Sequence, residues 1–265
     1  MPASKPVNVQ NLFQTASSEG TLSNEVLLNL SIPDLGAQIQ AGLGVSPEDV
    51  PASEVVLVTQ MPDDSGSMQT GRNVQLVRDG HNQVLDALMQ SKQRDSILAH
   101  TRYLNGQVLF PYRPIAQAVR MDAKNYDPQL GTPLYDQAMV LLGTVLAKSQ
   151  EFANAGVQSR TVTLILTDGA DAHSSRFAAK DVAKLVRDLR KAETHVVAAM
   201  GLDDGGTDFR KVFREMGIED RWILTPGAGA AEVRKAFALF SQSAVRASQS
   251  TQAFGAASLG GFANP

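Results

Sequence analysis

The chain has 265 residues, enough for one α/β domain with attachments whose core needs no covalent staple. It contains no cysteine, which excludes disulfides, thiol catalysis and thiolate metal sites together. With 24 Lys and Arg against 27 Asp and Glu, a formal charge of -3 and a pI near 5.8, nothing in its charge balance suggests a nucleic-acid partner, which would normally show a basic face.

Residues 1–24 are rich in Ser, Thr, Asn, Gln and Gly, with little apolar periodicity, and are expected to be flexible or loosely docked. They hold no apolar signal core, and no segment reaches the ~18 apolar residues of a membrane span, so a soluble, cytoplasmic protein without a membrane partner is expected. The apolar content of residues 25–32 suggests an added strand on an edge of the main sheet, ended by Pro33-Asp34, with a short helix over 35–43. Residues 1–53 thus read as an N-terminal extension.

From residue 54 an apolar, β-branched run leads into Asp63-Asp64-Ser65-Gly66-Ser67-Met68. This pattern is a buried strand delivering a polar loop to one edge of a sheet. Pro62 cannot donate to a ladder, so the strand is expected to end early and displace the loop. Asp63, Ser65 and Ser67 occupy alternate positions, from which their oxygens can converge on one point suited to a hard divalent cation. From these residues alone a plain turn is an equal reading. Asp64 could replace Asp63, but the alternating register favours Asp63.

Val74, Val77, His81, Val84, Leu85 and Leu88 then recur at helical spacing, which makes His81 a packed residue rather than a ligand. Residues 95–104 read as a strand joined by an Asn105-Gly106 hairpin turn to 107–110, and 111–114 close the hairpin. Thr132 heads a helix with Pro133 in its first position and a stripe of Leu134, Ala138, Leu141, Leu142 and Val145. A helix cap is the plain role for Thr132, and Asp136 would complement the helix dipole. The uncharged strand 161–167 ends in Asp168, whose carboxylate would emerge from apolar surroundings and require a cation or a hydrogen-bond partner. Asp171 reads as loop structure and His173 as a rim residue. A helix over 180–191, a strand over 194–200, a solvated acidic loop capped at Thr207 or Asp208, a helix over 209–216, a strand over 221–224 with Trp222 in the core and a helix over 230–247 follow. Residues 248–265 have the composition of a disordered tail.

Alternating strands and helices imply a doubly wound, mostly parallel sheet with helices on both faces, and a ligand site at the carboxyl ends of its strands. Three elements, Asp63-x-Ser65-x-Ser67, Thr132 within Gly131-Thr132-Pro133-Leu134-Tyr135-Asp136, and Asp168 within Leu166-Thr167-Asp168-Gly169, stand in that order. Together they resemble the metal-ion-dependent adhesion site of von Willebrand factor A (vWA) domains, over residues 54–247. The resemblance implies a Rossmann-like sheet with one antiparallel edge strand at the hairpin. It also implies Mg²⁺, with Mn²⁺ or Ca²⁺ as alternatives, held by Asp63, Ser65, Ser67, Thr132 and Asp168. In such domains the metal bridges to a Glu or Asp of a partner protein without turnover. Intracellular bacterial relatives accompany MoxR-type AAA+ ATPases or stress-response systems, so a partner of that kind is implied. An enzyme is the competing class, but the chain has no phosphate-cradling Gly-rich loop with Lys, no Gly-x-Ser-x-Gly elbow and no general base at the strand ends. A metal-free interaction scaffold is the other alternative.

Overall fold

The structure, a computed structural model, describes residues 7–249 and 261–262. The N-terminal segment is helical. Helix α1 (Val9–Ser18) starts at Asn8, whose side chain accepts the Asn11 N–H at 3.2 Å, and it buries Val9, Leu12, Phe13 and Ala16 at helical spacing. The described part of residues 1–24 is therefore docked, contrary to the flexibility expected from its polar composition. Residues 25–32 do not form the expected strand. They fold as α2 (Asn24–Leu30), which buries Val26 and Leu30, and Pro33 opens α3 (Pro33–Leu43) rather than ending an element. A short apolar run is ambiguous between strand and helix, and here one-sided burial at a spacing of four decided.

Strand β1 (Glu54–Pro62) leads to α4 (Asn73–Met89), then to β2 (Ile97–Arg102) and β3 (Val108–Pro114). The second half comprises α5 (Leu134–Asn154), β4 (Gln158–Thr167), α6 (Ala179–Lys191), β5 (His195–Gly201), α7 (Phe209–Glu215), β6 (Ile223–Leu224) and α8 (Ala230–Gln249). One six-stranded sheet has the order β3-β2-β1-β4-β5-β6, parallel throughout except for the antiparallel β2–β3 pair at its edge. The doubly wound fold with one antiparallel edge strand is the one expected. Pro111 and Pro114 sit within β3 rather than after it, because an edge strand leaves one row of backbone groups unpaired. Nor does Pro62 cut β1 short. Met61 pairs with Ile165 and Pro62 with Leu166, and the Pro62 carbonyl still accepts the Leu104 N–H at 3.1 Å.

Helices α4 and α8 pack together on one face of the sheet, and α5 and α6 cover the other. The expected stripe of α5 is buried, but so are Met139, Val140, Leu146, Ala147, Lys148 and Phe152. A helix apolar on nearly all sides must be covered on nearly all sides, and α1 and α3 lie against its outer surface within one continuous apolar core. Buried polar groups fasten this layer. The Arg102 guanidinium donates to the Gln38 carbonyl at 3.3 Å and the Thr144 hydroxyl at 3.3 Å, and the Lys148 ammonium donates to the Val45 carbonyl and to Glu151 Oε2 at 2.8 Å. Trp222 is buried, as expected, with the Phe262 ring edge-on at 5.3 Å. Of the tail expected to be disordered, residues 250–260 and 263–265 lie outside the described residues.

Candidate metal centre

Because β1 and β4 are adjacent and parallel, Asp63 and Asp168 emerge side by side at the carboxyl edge of the sheet. Asp63 is fully buried; its Oδ1 accepts the Ser65 N–H at 2.7 Å and its Oδ2 accepts the Thr167 hydroxyl at 2.6 Å. The Ser65 and Ser67 hydroxyls are 2.9 Å apart, and Ser67 donates to Asp168 Oδ1 at 2.7 Å. A hydroxyl has one proton, so Ser65 is the donor to Ser67. Asp63, Ser65, Ser67 and Asp168 thus form one chain of contacts. Asp64 is turned away, its Oδ1 accepting the Asn105 backbone N–H at 2.9 Å and side-chain amide at 2.8 Å in the hairpin turn.

Thr132 reaches this edge through its backbone. The preceding residues lie against the Asp63 loop: Gly66 N–H donates to the Leu130 carbonyl at 2.9 Å, and the N–H groups of Gln129 and Leu130 donate to the Asp64 carbonyl at 3.1 and 3.2 Å. Thr132 is not the cap of α5. The helix begins at Leu134 after Pro133, and its free N–H groups are met from the loop after β4. Ser174 Oγ accepts from Tyr135 and Asp136, both at 3.0 Å, and Asp171 Oδ1 accepts from Tyr135 at 3.2 Å. This leaves the Thr132 hydroxyl without a capping task. Asp136 lies in the first turn of α5, where an acid complements the helix dipole as expected, and its carboxylate also accepts the N–H groups of Ser175, Arg176 and Phe177.

Burial pushes the Asp63 carboxyl up to about 6, against the lowering effect of its bonds from Ser65 and Thr167. Asp168 is raised by burial as well, opposed by the Ser67 hydroxyl. The charges acting on them are negative: Asp168 on Asp63, and Asp204 on Asp168. Among the described residues no three His, Cys, Asp or Glu side chains converge. Two carboxylates and several hydroxyls remain, an all-oxygen set that fits a hard divalent ion retaining part of its water and does not fit a soft one.

Thr167 and Tyr126 were not singled out from sequence. Thr167 adjoins Asp168, and a hydroxyl at the end of an apolar strand was a usable signal. Tyr126, whose hydroxyl donates to the Asp63 carbonyl, lies in a long loop and carries no local signal. The acidic loop behaves as expected, with Asp208 capping α7 through the Lys211 N–H at 3.0 Å.

Neither a protein-family model nor a curated protein matches the sequence. Solved structures do match. The vWF domain of the type V pili tip protein Mfa5 from Porphyromonas gingivalis superposes with a TM-score of 0.52 at 11% identity, over 76% of this chain and 99% of that one. The pilus adhesin SpaC from Lactobacillus rhamnosus GG gives 0.53 at 15% identity, over 74% of this chain and 30% of that one. Proximal thread matrix protein 1 from the mussel byssus gives 0.50 at 15%, over 72% and 46%. The chain spans less than half the length of the latter two. Sheet order, antiparallel edge and these superpositions together show that the chain has the von Willebrand factor A fold.

Proposed function

We propose that the domain binds a partner protein through a divalent metal, Mg²⁺ with Mn²⁺ or Ca²⁺ as alternatives, held by Asp63, Ser65, Ser67, Thr132 and Asp168. The observation that carries this reading is the linked set Asp63–Ser65–Ser67–Asp168, which places two buried carboxylates among hydroxyls at the carboxyl edge of the sheet. A bound cation would offset the cost of burying the two carboxylates and supply a Lewis-acidic point with affinity for one further carboxylate. The partner is therefore one that presents Glu or Asp. Leu130, 59% exposed, follows Gln129 at the rim and gives such a partner an apolar contact. Binding without turnover is the proposed outcome.

The resemblance favours an intracellular bacterial setting and an AAA+ ATPase of the MoxR type or a stress-response complex as partner. No described helix is long and apolar enough to cross a membrane. The alternative is a metal-free scaffold; an Asp63 loop displaced by an early end of β1 would have favoured it, but β1 runs through Pro62.

Thermal unfolding with and without Mg²⁺ or Mn²⁺ tests the proposal. Metal at about 100 times its dissociation constant is expected to stabilise the wild type by roughly 2.7 kcal/mol. Asp63→Asn, which keeps an acceptor for the Ser65 N–H, is expected to lose that shift. A metal-stripped wild type that shows no shift leaves the scaffold reading.

A further inference from the structure

Four of the five proposed ligands are linked to one another, Asp63 to Ser65 through the Ser65 N–H and the others through side chains, whereas Thr132 is held from outside. Its N–H donates to Nδ1 of His173 at 2.8 Å, and its carbonyl accepts the N–H groups of Ala172 at 3.1 Å and His173 at 3.2 Å. Both faces of the Thr132 residue are therefore tied to the loop that begins at Asp168. An imidazole accepting at Nδ1 carries its proton at Nε2, so the bond also selects one tautomer. The close approach depends on Gly131, where a Cβ would lie 2.9 Å from Cγ and Nδ1 of the imidazole. The loop is itself fastened to the start of α5. Asp171 and Ser174 accept its first N–H groups, Ser174 donates to Asp171 Oδ1 at 2.5 Å, and Asp136 returns three bonds to residues 175–177.

We infer that His173 is a positioning residue for the metal centre, fixing Thr132 to the loop that begins at Asp168 so that metal affinity depends on an imidazole that contacts no metal. The inference rests on the metal-binding reading above and adds a residue to it. His173 is exposed, so its bond contributes little to the core. Side chains that orient ligands from outside the coordination sphere are typically worth about 10- to 100-fold in metal affinity.

Two substitutions separate the acceptor from bulk. In His173→Asn the amide oxygen can take the place of Nδ1, whereas in His173→Gln the polar group is displaced toward the Nε2 position. On the full chain, Mn²⁺ affinity measured by electron paramagnetic resonance is expected to be within about threefold of wild type for His173→Asn and weakened roughly tenfold for His173→Gln. The unfolding temperature of the metal-free protein is expected to be the same for all three. Nitrogen-15 NMR of the metal-free wild type is expected to show His173 protonated at Nε2 with Nδ1 as acceptor. Equal Mn²⁺ affinity in wild type and His173→Gln overturns the inference and leaves the metal site standing. Loss of affinity accompanied by an equal loss of metal-free stability makes His173 a structural residue and also overturns it. A wild type that binds no Mn²⁺ removes the metal-binding reading itself, and the inference with it.

Discussion

Asp63 and Asp64 carry the same side chain on adjacent residues, and the backbone sends one to the candidate centre and the other to the hairpin. Asp64 is satisfied by two donors from Asn105, whereas Asp63 is buried among hydroxyls with another carboxylate acting on it. Asp64→Asn retains an acceptor for the Asn105 backbone and is expected to keep the full metal-induced rise in unfolding temperature. A loss of that rise equal to the loss in Asp63→Asn would refute the assignment. His195 makes a different residue-scale case. It is buried, with Nδ1 2.8 Å from the Thr161 hydroxyl, and burial lowers it from 6.5 to about 4. The unfolded chain takes up a proton near pH 6.5 that the folded chain refuses until about pH 4, so stability is lost as pH falls through that window. His195→Asn does not titrate there. Its stability difference between pH 7.5 and 4.5 is expected to be smaller than the wild type's by on the order of 2–3 kcal/mol, measured by urea unfolding. Equal differences in the two proteins would contradict the assignment of a neutral buried imidazole.

At the scale of elements, packing sets positions that periodicity leaves free. Helices α4 and α8 approach so closely that a Cβ on Gly80 would fall 2.1 Å from the Phe237 ring, which is itself buried. A ring enclosed by neighbours cannot yield without displacing them. Gly80→Ala is therefore expected to destabilise by about 1–3 kcal/mol, seen as a lower urea midpoint at unchanged slope, despite the better helix propensity of Ala. A rise in the midpoint would mean that the two helices separate without cost. The β2–β3 turn was legible because Asn105-Gly106 is a local signal, and Gly106 takes φ +92°, while the extent of β3 through Pro114 was not. The start of α5 was not, because its capping groups, Asp171 and Ser174, come from a loop far along the chain.

For the whole molecule, the N-terminal helices are a layer of the structure rather than an appendage. They cover α5 and supply the Gln38 carbonyl to the buried Arg102 guanidinium. Deleting residues 1–43 would expose the outer surface of α5 and remove that acceptor. The truncated chain is expected to lose its cooperative thermal transition and to bind a hydrophobic dye. Phe13→Ala in the intact chain, at a fully buried site, is expected to cost about 3–5 kcal/mol. A truncated chain that unfolds at the wild-type temperature would show the layer to be dispensable.

The sequence by itself determined the alternation of strands and helices, the hairpin edge and which residues, Asp63, Ser65, Ser67 and Asp168, stand at the strand ends. Those features follow from local periodicity and turn chemistry, which neighbouring residues set among themselves. Only the tertiary structure decided that residues 25–32 are helical, that Pro62 closes β1 without shortening it, and that Thr132 is held by His173 instead of capping α5. Each of these depends on a partner distant in sequence: the apolar surface of α5, the β4 ladder and the loop after Asp168. Burial and hydrogen bonding to such partners outweigh local propensities, which apart from those of proline differ by no more than about 1 kcal/mol per residue.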